Sequence, residues 1–166
     1  MWFKVLSHLQ FLLKSTNEHG VHSPFVFNFV TKCLYSKQKL HNNKTINILL
    51  KSIGYFKFRN VKIDSNPEIE KLVKDTFQNI ASNGPKVDLL FTAQMNVSKF
   101  VALLSDGKLH NDSMILVEGI HQNKQQQKNW QNLITSPNIT VSIDMFHCGA
   151  IFIRKEQEKE HFTIRI

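Results

Sequence analysis

No two glycines in this chain stand close enough to make a GxG turn. The six, Gly20, Gly54, Gly84, Gly107, Gly119 and Gly149, are each isolated. A dinucleotide- or adenosyl-binding turn at a helix start normally needs such a pair, because only a residue without Cβ lets the backbone come so close to the ligand. Cysteine is equally sparse. Cys33 and Cys148 lie far apart with no CxxC and no His/Cys cluster, so the chain suggests neither zinc nor a disulfide framework, and a reducing cytoplasm fits. No stretch approaches the roughly 20 apolar residues that a membrane-spanning helix requires.

What is present is a chain of one domain's length, 166 residues, whose 42% hydrophobic content and 13 phenylalanines argue against disorder. The formal charge of +8 could serve phosphate binding, but the lysines are dispersed. Their densest stretch, Lys32, Lys37, Lys39 and Lys44, lacks the Arg and aromatic interleaving of an RNA platform and reads as a solvated basic face. The eight histidines are scattered, and no Ser-His-Asp or Cys-His arrangement can be assembled from the sequence.

The N-terminal MWFKVLSHLQFLLKS carries an apolar stripe at Trp2, Phe3, Val5, Leu6, Leu9, Leu12 and Leu13, read as a packed amphipathic helix, with membrane-surface binding the lesser alternative and no membrane partner expected. Ser23 as N-cap and Pro24 in the first turn start a second helix running to about Tyr35. Ile46, Leu49, Leu50 and Ile53 recur at helical spacing. A short strand then ends in Asp64, and Asn66-Pro67 opens a helix whose face is Ile69, Leu72, Val73, Thr76 and Phe77. VDLLFT, from Val87, and Met114 to Val117 read as buried parallel strands, separated by a helix from about Val97 to Ser105. A Trp130-bearing helix follows. The segments ITVSID, GAIFIR and HFTIRI alternate and are β-branched, which predicts antiparallel edge strands, with Asp144 a solvent-facing strand residue. The fold class predicted is α/β, with a helical region over 1–44 and a sheet domain over 45–166.

The segment EHGVHSPFVFNFV, Glu18 to Val30, resembles the N-terminal helical region of a family of bacterial class I S-adenosylmethionine-dependent methyltransferases of Bacteroidetes type. The segment from Ile115 to Phe162 looks like that family's ending: strand, acidic Ile-His turn, Trp-containing helix, SIDxF strand and GxxF strand. Between them, NVKIDSNPEIEKLVKDTF is similar to the place where the family's second strand ends in an acid, here Asp64, that would accept hydrogen bonds from the donor's ribose. The resemblance implies a Rossmann-like sheet of parallel strands with a C-terminal antiparallel hairpin, here shortened.

One block of that pattern is missing. In an intact member a strand, a Gly-rich turn, a helix and a second strand precede the acid. Either Ile46 to Leu50 is the first strand, leaving too few residues for a crossover, or YFKFRNVKI leads into the first strand and the donor-binding unit is deleted after it. Where the family commonly has an aspartate after VDLLF, this chain has Thr92-Ala93, and where it has paired acids before Ile-His, this chain has Glu118-Gly119. In related O-methyltransferases such carboxylates hold Mg²⁺, and Ala93 and Gly119 cannot.

The expectation is therefore a degenerate, non-catalytic relative acting as an interaction or scaffold protein, paired with a second copy or with an intact methyltransferase. No metal or cofactor is expected. The enzyme alternative, methyl transfer to a small oxygen acceptor, would require S-adenosylmethionine in an unusual pocket. A basic nucleic-acid-binding module is a further alternative, and would show salt-dependent retention on phosphate matrices. Asp64 is the candidate ribose ligand, and Glu118 with His121, at the carboxyl end of a parallel strand, the candidate residual pocket.

Overall fold

Five of the six strands of the sheet run the same way, and the exception lies inside it. In this computed structural model, which describes residues 2–166, the strands are β1 (Val61–Ile63), β2 (Val87–Thr92), β3 (Leu109–Glu118), β4 (Val141–Asp144), β5 (Cys148–Phe152) and β6 (Glu160–Thr163). Their order across the sheet is β1-β2-β3-β5-β4-β6. The β1–β2, β2–β3 and β4–β6 pairings are parallel, and β5 runs antiparallel to both β3 and β4. The α/β class follows, with one correction to the predicted antiparallel edge: β5 is interior, and the edge strand β6 is parallel to β4. Period-two alternation states that a strand has two faces, not which neighbour it chooses.

The helices are α1 (Trp2–Lys14), α2 (Pro24–Asn28) continuing into a π-helical segment Phe29–Leu34, α3 (Lys44–Phe56), α4 (Pro67–Thr76), α5 (Val97–Ser105) and α6 (Lys124–Ile134). Asparagine starts four of them. The side chains of Asn43, Asn66, Asn96 and Asn123 accept from the backbone N–H groups of Ile46, Ile69, Lys99 and Gln126. Ser23 does the same for Val26, with Pro24 in the first turn. Because Ile46 to Leu50 lie within α3, the first of the two alignments is overturned, and β1 is the first strand of the chain.

Two apolar clusters flank the sheet. On one face Leu89, Phe91, Met114, Leu116 and Phe152 meet the π-helical segment, α3 and α4 through Phe29, Leu49, Ile53 and Val73, so the N-terminal helices share a core with the strands. On the other, Leu90, Ile115, Val117 and Ile151 meet Phe100 of α5 and Trp130 and Leu133 of α6. The crossovers β1→β2, β2→β3 and β3→β4 all step in one direction across the sheet. The last two lay α5 and α6 on one face, and the first lays α4 on the other. The β1–α4–β2 unit thus has the opposite hand to its neighbours, in a class of connection where about 98% share one hand.

Helix α1 corrects the expectation of a packed apolar stripe. Its buried residues are Ser7 and Phe11, while Trp2, Val5, Leu6, Leu9, Leu12 and Leu13 are turned to solvent. The face turned inward carries Ser7, which bonds His121, and Phe11, which packs on Phe146.

Candidate functional site

At the carboxyl end of the sheet the chain leaves β1 at Asp64, β2 at Thr92, β3 at Glu118 and β4 at Asp144, and β5 begins again at Cys148. Parallel strands collect polar groups here because the helix starts and turns that follow them converge. Two adjoining clefts occupy this edge. One of about 600 Å³ is lined by Lys4, Lys44, Glu118, His121, Phe146 and His147, among others. The second, about 280 Å³, is lined by Asp64, Asn66, Thr92, Gln94 and again Glu118. The three residues singled out from sequence therefore share one edge, with Glu118 common to both clefts.

Asp64 is already engaged. Its Oδ2 lies 2.5 Å from Lys99 Nζ and accepts from Thr92 Oγ1 at 3.1 Å. The Lys99 ammonium holds its carboxyl below the usual carboxylate value, outweighing the effect of partial burial. A ribose bonding this oxygen would compete with both partners. The turn that follows is Asp64-Ser65-Asn66-Pro67, in which Ser65 takes a positive φ of 58° without being glycine.

Glu118 differs: among the described residues its carboxylate has no hydrogen-bond partner. It sits beside Lys4 and Lys44 in the larger cleft. The following residue, Gly119, adopts a φ of 68°, which turns the chain so that its N–H donates to His147 O at 2.8 Å.

His121 is almost fully buried and held at both ring nitrogens. Nε2 is 2.7 Å from Asp144 Oδ2, and Nδ1 is 2.7 Å from Ser7 Oγ, with Gln127 Nε2 at 3.3 Å. Since a carboxylate only accepts, Nε2–H donates to Asp144, and in the neutral ring Nδ1 then accepts from the Ser7 hydroxyl. The expectation of a solvent-facing Asp144 is corrected here, since its second oxygen also accepts from Phe146 N at 2.9 Å and the residue is half-buried. The structure assembles a Ser-His-Asp chain that the sequence did not reveal. Ser7 is 3% exposed on the inner face of α1, so its hydroxyl fastens the helix to the sheet edge and is not offered to a substrate.

Around this chain Phe146, itself at a φ of 67°, lies over the His121 ring at 5.1 Å and against His8 and Phe11 at 4.6 and 5.4 Å. Burial pushes the neighbouring His147 down from its ordinary value, and the charges of Lys44, His8 and Lys4 push it further. The larger cleft is thus electropositive apart from Glu118. Among the described residues no group of three or more His, Cys, Asp or Glu side chains is placed to hold a metal ion. Ala93 lines both clefts with a methyl group. No family model matches the chain, and neither a curated protein nor a solved structure does.

Proposed function

We propose that this chain is a shortened relative of class I S-adenosylmethionine-dependent methyltransferases that has lost its donor pocket and works by binding other molecules. The observation that carries the reading is the β1–α4–β2 unit. Its crossover has the opposite hand to the other two, as expected if strand–helix units that once intervened between β1 and β2 had been removed and the ends rejoined. The turn after β1 is where a donor's adenosyl and ribose groups would sit. It contains no glycine, and its one acid is neutralised by Lys99. The segment from Ile115 to Phe162 that resembles the family's ending takes in the end of β3, all of β4 and β5, and most of β6.

A second reading keeps the chemistry. The 600 Å³ cleft and the unpartnered Glu118 favour a small ligand at the carboxyl edge, with Glu118 as the group that would accept a proton from an acceptor hydroxyl.

Thermal unfolding with and without the methyl donor separates the two. A ligand present at a hundredfold excess over its dissociation constant stabilises by about 2.7 kcal/mol, which for a chain of this size raises Tm by roughly 5–10 °C. The proposal expects no shift with S-adenosylmethionine or S-adenosylhomocysteine at millimolar concentration. A shift of several degrees with either would overturn it in favour of the second reading.

A further inference from the structure

We propose that the outward face of α1 docks on an anionic lipid bilayer surface. Trp2, Val5, Leu6, Leu9, Leu12 and Leu13 form one continuous stripe, recurring at intervals of three and four over a helix about 20 Å long. The stripe is far from incidental exposure: Trp2 is 81% and Leu13 88% accessible. Scattered apolar residues are normal on a surface, but here one helix packs on the protein through Ser7 and Phe11 and carries a continuous apolar stripe on its opposite side. The Ser7–His121–Asp144 chain and the contact of Phe11 with Phe146 hold it in that orientation.

Charge selects the occupant. Helix α1 contains no acidic residue, and Lys4 and Lys14 stand near its two ends. Beside its first turns, Lys4, Lys44 and His147 line one cleft, and the charges of Lys4, His8 and Lys44 all bear on His147. The chain as a whole carries +8. Apolar side chains with a Trp at one end, flanked by lysines whose stems can reach sideways to headgroups, match the pattern of a helix lying in the plane of a membrane interface. A second copy of the chain fits less well. It would bring the same positive charges together, and six side chains fall well short of the 20–30 residues a side of a standard protein interface. No described helix is long and apolar enough to cross a membrane, so the contact is peripheral. The inference does not depend on whether the chain transfers methyl groups.

The test uses the whole protein and vesicles of phosphatidylcholine alone or mixed with phosphatidylglycerol. Sedimentation with the mixed vesicles is expected, with little on the neutral ones and release at high salt. Trp2 is exposed and Trp130 is 4% accessible, so a blue shift of the fluorescence on binding reports α1 entering the interface. The double variant Leu9→Glu/Leu13→Glu changes two exposed positions and should fold, shown by circular dichroism, yet lose vesicle binding and the shift. Lys4→Gln and Lys14→Gln should each weaken binding roughly fivefold. Failure of the folded native chain to bind the anionic vesicles would overturn the proposal. So would a dimer in sedimentation equilibrium that Leu9→Glu/Leu13→Glu dissolves, with no vesicle binding by the native chain.

Discussion

His121 takes its two partners from segments that have nothing to do with one another in sequence. Ser7 is 114 residues away and Asp144 is 23, and neither stands in a pattern that spacing could reveal. Asp64, Glu118 and His121 were legible because each follows the end of an apolar run, where a parallel strand must stop. The partners of Asp64 and His121 were not, because a hydrogen bond across the fold leaves no local trace. Removing one of them has a predictable cost. Ser7→Ala should lower stability by about 1 kcal/mol, while Asp144→Ala, which strips a carboxylate from both His121 and the Phe146 turn, should cost about 2–3 kcal/mol. Denaturant unfolding measures both. The cysteines allow a sharper check. Burial pushes the Cys33 thiol up to about 12 and Cys148 higher still. Neither should react with iodoacetamide in the native protein, and both should react once it is unfolded. Rapid native labelling at either position would contradict the packing described.

Among the elements, those with strong periodicity and a clear start are where they were expected. The periods of α3, α4, α5 and α6 are plain, and each begins at an asparagine that binds the first turn. Asn96→Ala should therefore destabilise by about 1 kcal/mol, seen as a lower Tm with an unchanged fold. Gly149 shows a close approach that sequence does not announce. A Cβ there would lie 2.4 Å from the Trp130 ring, so α6 sits flush on β5 only because the strand has no side chain at that point. Gly149→Ala is expected to cost about 1–3 kcal/mol by overpacking, and Trp130→Leu in the same chain should recover part of it. Helix α1 marks where periodicity stops informing. It establishes a stripe but not whether the stripe points to the core, and here the narrow face of Ser7, bonded to His121, and Phe11, packed on Phe146, took that place. Strand β6 is similar, since its alternation fitted either hand of pairing and tertiary packing set it parallel to β4.

On the scale of the whole molecule, two ionisation systems set how stability follows pH. Burial, with the nearby Lys44, His8 and Lys4 charges, depresses His147, and burial with Lys159 depresses His161. A histidine that is harder to protonate when folded makes the unfolded state bind more protons, so stability falls as pH drops below about 6.5. Asp64 and Asp88 are also depressed. For Asp88 burial pushes the other way, but the backbone N–H groups of Asn60 and Arg59 and the His110 ring outweigh it. Their contribution is present above the ordinary value of 3.8 and disappears as pH falls through lower values. The Tm should thus decline in two stages on acidification, and a variant with His147→Asn and His161→Asn should lose most of the upper one.

The same scale carries the proposed function, because that reading rests on a unit of topology, the β1–α4–β2 crossover, more than on any single residue. Helix α4 lies on the opposite face from α5 and α6, and α2, its π-helical continuation and α3 pack over the strands on that face. The sequence could show that a glycine turn was absent; only the fold shows how β1 is joined to β2 without it. Calorimetric titration of the folded chain with S-adenosylmethionine and S-adenosylhomocysteine is the most direct test. The account predicts no saturable heat for affinities tighter than about 100 µM, roughly 5.5 kcal/mol. Saturable binding with one site per chain would contradict it, and would mean that the cleft around Glu118 holds the donor.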